Sequence, residues 1–287
     1  MTGMTTVDLG TPDLQFTIAS DGVSVATMHR PNKRNAFSAS MGRALSDVYR
    51  RADSDDAIRV VVLTGTPPAF CAGADLGQGS EVFEAQPSQD FRACPVDPTA
   101  WQIRKPVIAA VNGHAIGIGL TLALHCDLRV MATDAKYGVV QVRRGVMPDA
   151  FSHWTLPRLA GLTAAADVLL TGRTFDGHEA GRLGIASRVV PNDEVLDSAL
   201  EIARDIALNT APLSVAITKR LLWQSFASSA ASIGRAETSL HQILMGTTDA
   251  REGVASFLEG RTPQWTLSPT RDWPEEWPNP DITDRAP

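Results

Sequence analysis

Two glycine turns and one carboxylate are the residues of this chain whose types and spacing can do chemistry. The first turn, Ala69-Phe70-Cys71-Ala72-Gly73-Ala74-Asp75-Leu76, follows the β-branched run Ile58–Thr64. The second, Asn112-Gly113-His114-Ala115-Ile116-Gly117-Ile118-Gly119-Leu120, follows Val107–Val111 and opens an apolar helical pattern. Glycine lets the backbone turn sharply and aim amide N–H groups at a ligand, and a helix N-terminus adds partial positive charge. Together the turns suit a developing anion, whereas either one alone is equally a tight connection. Dinucleotide binding fits less well. Leu122 stands where the third glycine of that fingerprint belongs, and no phosphate-loop Lys-Ser/Thr follows.

The carboxylate is Asp149, within Gly145-Val146-Met147-Pro148-Asp149-Ala150-Phe151-Ser152-His153-Trp154. It reads either as an acid–base group or as the cap of the helical pattern that follows, worth about 1 kcal/mol. Both readings stay open at this level. The six histidines are scattered, with no H-x-x-x-H pair, so no metal site is expected. Asp149, Ser152 and His153 invite a Ser–His–Asp reading, but neighbours at a helix start do not reach one another in that order, and no G-x-S-x-G elbow exists. His153 or Trp154 is better placed as the wall of a pocket. His114 reads as a satisfied polar residue, Arg143-Arg144 as a solvated turn, and Cys71 as a small residue in a tight turn.

Further motifs stand in order along the chain: Arg30-Pro31-Asn32-Lys33-Arg34-Asn35-Ala36-Phe37, Lys105-Pro106-Val107-Ile108-Ala109, Cys126-Asp127-Leu128, Leu170-Thr171-Gly172 and Ala180-Gly181-Arg182-Leu183-Gly184-Ile185-Ala186. With the two glycine turns, they resemble the crotonase superfamily, also called the enoyl-CoA hydratase/isomerase family, over roughly Phe16 to Arg261. The resemblance implies an α/β fold, a crotonase-like spiral of ββα units with a C-terminal helical trimerisation region. It implies an acyl-CoA thioester as the small-molecule partner, coenzyme A entering as part of the substrate with no separate cofactor. A homotrimer or dimer of trimers follows from the same likeness. The N–H groups of Ala74 and Ile118 would bind the thioester oxygen, each worth about 3 kcal/mol to a developing enolate. Asn35, Ala36 and Phe37 would lie near the CoA moiety. Ala72, Gly73, Asp75, Gly117, Thr121, Gln141, His153 and Trp154 would complete the substrate contacts.

The hydratases of this family carry two glutamates where this chain has Thr121 and Gln141. Neither side chain serves as an acid or base near neutral pH. Adding water needs one group to activate it and another to protonate the α-carbon, so the hydratase pattern is broken at both points. Asp149 occupies a position resembling the catalytic acid of some enoyl-CoA and dienoyl-CoA isomerases, and the nucleophilic aspartate of aryl-CoA dehalogenases. One carboxylate suffices to move a double bond. The resemblance therefore implies an isomerase-like enzyme with Asp149 as proton shuttle. Hydratase-like chemistry, a dehalogenase or hydrolase with Asp149 as nucleophile, and a non-catalytic acyl-CoA-binding protein remain as alternatives.

These residues need a scaffold, and the pattern supplies one. Val23–Met28, Ile58–Thr64, Val107–Val111 and Leu128–Ala132 read as strands, each followed by turn residues. Ser38–Ala52 has a plausible Ser38 cap, Thr163–Leu170 is a helix closed by Gly172, and Asp193–Leu208 is a longer one. The chain is almost purely helical from Ala211-Pro212 to Gly260. This divides it into a spiral core over 1–209, a helical oligomerisation region over 210–261, and a Pro- and Trp-containing tail over 262–287 expected to lie against a surface. The segment Gly77–Thr99 reads as a long loop that shapes the acyl pocket.

With 287 residues, 44% hydrophobic and 20% charged, the chain is an ordinary globular protein with a sizeable core. A net charge of −6 speaks against broad nucleic-acid binding. The apolar stretch Pro106–Cys126 is broken by Asn112, His114 and glycines, so no membrane insertion is expected. No basic patch followed by an apolar run opens the chain, and its three cysteines form no pairwise pattern. A cytoplasmic setting is the expectation.

Overall fold

Runs buried on both faces dictate the central sheet of this computed structural model, which describes residues 3–77, 79 and 92–278. The strands are β1 (Met4–Val7), β2 (Leu14–Ala19), β3 (Val23–Met28), β4 (Val60–Gly65), β5 (Ala69–Cys71), β6 (Val107–Val111), β7 (His114–Ile116), β8 (Leu128–Ala132), β9 (Tyr137–Gly138) and β10 (Arg188–Val190). Every residue of β4 and β6 is buried. Such unbroken apolar runs belong to parallel sheets covered on both sides. Seven strands lie in the order β1-β2-β3-β4-β6-β8-β10, antiparallel up to β3 and parallel beyond it. A second, parallel sheet holds β5-β7-β9. Each of β4, β6 and β8 thus feeds a short strand of the smaller sheet, and the repeat of that step makes the spiral.

The helices are α1 (Ala39–Ser54), α2 (Ile118–Ala123), α3 (Ser152–Thr171), α4 (Gly177–Arg182), α5 (Val195–Asn209), α6 (Pro212–Ser225), α7 (Ala230–Met245) and α8 (Thr248–Glu259). Ser38 caps α1 as expected, its Oγ accepting from Met41 N–H at 3.1 Å. Helix α5 packs across β3, β4, β6, β8 and β10. The helix expected at Thr163–Leu170 is the second half of α3. An upstream half begins at Ser152, and Gly161 (φ 79°, ψ 160°) breaks the two apart.

Helices α6 and α7 enclose a small second core of Leu213, Ile217 and Leu240, packed with Leu221, Leu244, Leu267, Trp273 and Trp277. Lys219 ties α6 to the spiral, donating to Ala100 O at 2.7 Å and Lys105 O at 2.8 Å and meeting Asp127 Oδ2 at 2.7 Å. The described part of the tail, residues 262–278, lies against the surface: Arg104 donates to Pro269 O at 2.6 Å, and Trp277 Nε1 donates to Gln224 Oε1 at 2.9 Å. Most of the loop expected to shape the acyl pocket, residues 78 and 80–91, lies outside the described residues, as do 279–287. Among the described residues no helix is long and apolar enough to cross a membrane, and no group of His, Cys, Asp and Glu side chains could hold a metal ion.

Candidate active site

The two glycine turns leave neighbouring strands. Cys71 of β5 pairs with Ala115 of β7, so the segments that follow run side by side. Gly73 (φ 100°) and Gly119 fix how closely. A Cβ on Gly73 would sit 3.0 Å from Ile116 O, and one on Gly119 only 2.4 Å from Cys71 O. Beyond Gly73, Phe37 N–H donates to Gly73 O at 2.7 Å and Asp75 N–H donates to Phe37 O at 3.2 Å. That parallel bridge leaves the N–H of Ala74 turned away from Phe37. Ile118 opens α2 behind Gly117 (φ 55°, ψ −123°), and the first N–H of a helix has no partner within it. Among the described residues, neither the Ala74 nor the Ile118 N–H meets a protein acceptor.

Asp149 comes to the first turn of α2. Its Oδ1 accepts from Gln141 Nε2 at 3.0 Å and lies 3.4 Å from the Thr121 hydroxyl, which also lies 3.2 Å from Ile118 O. Thr121 and Ile118 share one helical face at i, i+3, so the carboxylate stands over the turn that carries the Ile118 amide. No other described residue donates to Oδ2. Burial pushes the Asp149 carboxyl above its ordinary range, and the donors Thr121 and Gln141 offset only part of that. The capping reading is corrected. Helix α3 is capped by Phe151 without any side-chain bond, and Asp149 offers Ser152 N–H only its main-chain oxygen, at 3.0 Å.

Other expected contacts divide. Asn35 is fully buried and spent within the protein: Oδ1 accepts from Arg30 N–H at 2.9 Å, and Nδ2 donates to Thr66 O and Ala69 O, both at 2.7 Å. Its side chain braces the corner between β4 and β5, with both amide atoms held by protein partners. Ala36 and Phe37 are nearly buried beside it, and Ala72 N–H donates to Arg34 O at 3.0 Å. Asp75 is clamped by Lys33 at 2.9 Å and Arg30 at 2.8 Å, whose donors hold its carboxyl far below the usual range. His153 is exposed and makes none of the described hydrogen bonds, so it does not join the Asp149 group. Ser152 Oγ is buried without a partner, which disposes of the triad. Burial pushes the Cys71 thiol up to about 11, and His114 Nδ1 accepts from Lys136 N–H at 2.8 Å.

Trp154 is half-buried in an aromatic group that sequence reasoning missed. The Trp101 ring centre lies 4.6 Å from His125, 5.1 Å from Phe151, 5.3 Å from Trp154 and 5.6 Å from Trp223. Arg158 stacks over Trp154 at 4.8 Å, and Trp223 Nε1 donates to Asp127 Oδ1 at 2.7 Å. These rings come from distant segments, so no spacing announces them. The one local signal was an imidazole, His125, in an otherwise apolar stretch behind α2.

The architecture has relatives. The family model described as enoyl-CoA hydratase/isomerase matches residues 19–268. A probable enoyl-CoA hydratase of Mycobacterium leprae is 35% identical over 258 residues, 87% of this chain and 98% of its own. The 2,3-dehydroadipyl-CoA hydratase of Escherichia coli is 34% identical, over 85% of this chain and 94% of its own. Among solved structures, that of a probable enoyl-CoA hydratase/isomerase from Mycobacterium abscessus superposes with a TM-score of 0.86 at 50% identity, covering 91% of this chain and 99% of that one. The span matched by the family model takes in the large sheet from β3 onward, both glycine turns and the C-terminal helices together. The chain therefore belongs to the enoyl-CoA hydratase/isomerase family of the crotonase superfamily, as an acyl-CoA enzyme.

Proposed function

We propose that this enzyme moves the double bond of an enoyl-CoA thioester, with Asp149 as a single proton shuttle. The observation that carries the reading is the placement of that carboxylate. It hangs by Oδ1 from Thr121 and Gln141, the two positions where hydratases carry glutamates, and no other described residue donates to Oδ2. The Ala74 and Ile118 amides would receive the thioester oxygen. Asp149 Oδ2 takes a proton from the α-carbon, the electron pair passes into a dienolate held by the two amides, and the same oxygen returns the proton to the γ-carbon. Burial makes the carboxylate a stronger base than one in water, which suits a step that begins with a weakly acidic C–H.

The names of the relatives favour hydration instead. That chemistry needs a second acid–base group, and Thr121 and Gln141 supply none. Assembly as a homotrimer or dimer of trimers belongs to the same reading, supported by the exposed Leu222, Ile243, Met245, Val254, Phe257 and Leu258 of the C-terminal helices. The unpaired cysteines Cys71, Cys94 and Cys126 suit a reducing compartment such as the cytoplasm.

A panel of 2-enoyl-, 3-enoyl- and dienoyl-CoA esters in deuterated water tests the proposal. Expected are bond migration and deuterium wash-in without hydration, and a loss of about 100-fold or more in kcat for Asp149→Asn. A clean 3-hydroxyacyl product, or full activity of Asp149→Asn, overturns it. Oxygen-18 entering Asp149 during turnover would make that residue a nucleophile, and binding with no turnover across the panel would leave a non-catalytic carrier.

A further inference from the structure

We infer that His125 is a positioning residue for Asp149, its buried imidazole holding the Ala150 peptide and thereby the carboxylate against the face of α2. The inference rests on the reading of Asp149 as the proton shuttle. His125 is 1% exposed, and its N–H donates to Leu122 O at 3.1 Å, so it extends the last turn of α2. Its Nε2 lies 2.7 Å from Ala150 O. A carbonyl only accepts, so Nε2 carries the proton. Burial pushes the imidazole down to about 4, which keeps it neutral with that nitrogen as donor.

The peptide it grips is held in an unfavourable shape. Ala150 (φ 45°) and Phe151 (φ 55°) both occupy the left-handed region, which side chains with a Cβ rarely adopt. Consecutive residues of that kind persist only where surrounding contacts over-determine them. The contacts are present: Ala150 O takes the His125 bond, and Ala150 N–H donates to Ala93 O at 3.1 Å. Trp101 stands edge-on to the imidazole at 76° and to the Phe151 ring at 82°, closing both rings in.

Ile118 and Thr121 share a face of α2 at i and i+3, and His125 stands in the turn that closes the helix. From the helix come the amide for the thioester oxygen and a hydroxyl beside Asp149 Oδ1, and from its closing turn comes the donor to Ala150 O. One short helix and the turn that closes it thereby set the distance between the enolate-binding amide and the base. A leucine would fill the same apolar site without the cost of burying an imidazole, so the ring is explained by its hydrogen bond.

Isomerisation kinetics of His125→Phe, His125→Gln and Asp149→Asn, with thermal unfolding of each, test the inference. His125→Phe should lower kcat by about 10- to 100-fold with KM within about twofold, because the base is displaced while substrate contacts remain. His125→Gln offers an N–H near the place of Nε2 and should recover most of the loss. Wild-type kcat in His125→Phe alongside an inactive Asp149→Asn overturns the positioning role alone. A change confined to KM, or no rescue by glutamine, does the same. Full activity of Asp149→Asn removes the shuttle itself and the inference with it. Nitrogen-15 spectra of the wild-type enzyme give a reading that needs no variant: the neutral Nε2–H tautomer is expected between about pH 5 and 8, and an Nδ1–H tautomer overturns the inference.

Discussion

A carboxylate acts best as a base where its charge is uncomfortable, and Asp149, the base we propose, meets that condition. Burial raises its pKa above the 3.8 of a free side chain, while Thr121 and Gln141 pull it part of the way back. The folded state therefore favours the protonated form. The stability this contributes is full in acid, below the unfolded value, and is lost as pH rises through the raised folded value. At neutral pH the charge opposes folding. Asp149→Asn is accordingly expected to match or exceed the wild type in denaturant midpoint at pH 7 while losing activity; a clear loss of stability would mark Asp149 as a structural residue. Gln141→Leu removes one of the donors that lower the pKa. The acid limb of kcat/KM should move to higher pH, with about a tenfold loss at pH 7 from one missing bond to a charged group. An unmoved limb would mean that Asp149 does not titrate in the rate-limiting step.

At the scale of elements, the site is a matter of how near two backbones come. Strand β5 and helix α2 touch where Gly119 backs onto Cys71, and a methyl group there would lie 2.4 Å from Cys71 O and 2.8 Å from Cys71 Cβ. Gly119→Ala must push α2, and with it the Ile118 amide, away from β5. We expect a loss of about 1–3 kcal/mol in stability from overpacking, and a fall of about tenfold or more in kcat/KM from misplacing an amide proposed to bind the thioester oxygen. Gly246 has open space around it, and Gly246→Ala should change stability by no more than about 0.5 kcal/mol. Equal behaviour of the two variants in unfolding and kinetics would sink the account. Such turns are legible in a sequence because glycine answers to backbone constraints, and the strands and the Ser38 cap are legible because burial and capping are local. The grouping around Asp149 was only half legible. The loop motif singled out the aspartate, but its bonds to Thr121 and Gln141 depend on how α2 and the turn at Gln141–Arg144 pack.

At the scale of the molecule, two cores of unequal size share one chain, and the smaller depends on the tail. Leu267, Trp273 and Trp277 pack against Leu213, Ile217 and Leu240, and the two tail indoles stack 5.0 Å apart. Buried Asp249 accepts from Thr266 N–H at 2.8 Å and from the Thr266 hydroxyl at 2.9 Å, so the tail also satisfies a carboxylate on α8. Thr270 and Asp56 form a further hydrogen bond between the tail and the spiral. Removal of everything after Arg261 would strip the apolar partners from α6 and α7 and leave Asp249 without these donors. Losing several buried apolar side chains costs about 3–5 kcal/mol, which in a chain of this size lowers the thermal midpoint by about 5–15 °C. The spiral should suffer less. Lys219 anchors α6 through Ala100, Lys105 and Asp127, none of which belongs to the tail. The shortened protein is therefore expected to keep most of its kcat at 25 °C while melting early, as followed by circular dichroism and by initial rates on the same preparation. An unchanged midpoint would show that the tail adds no stability. Loss of kcat in the still-folded protein would mean that the tail acts on the site as well as on the helices beneath it.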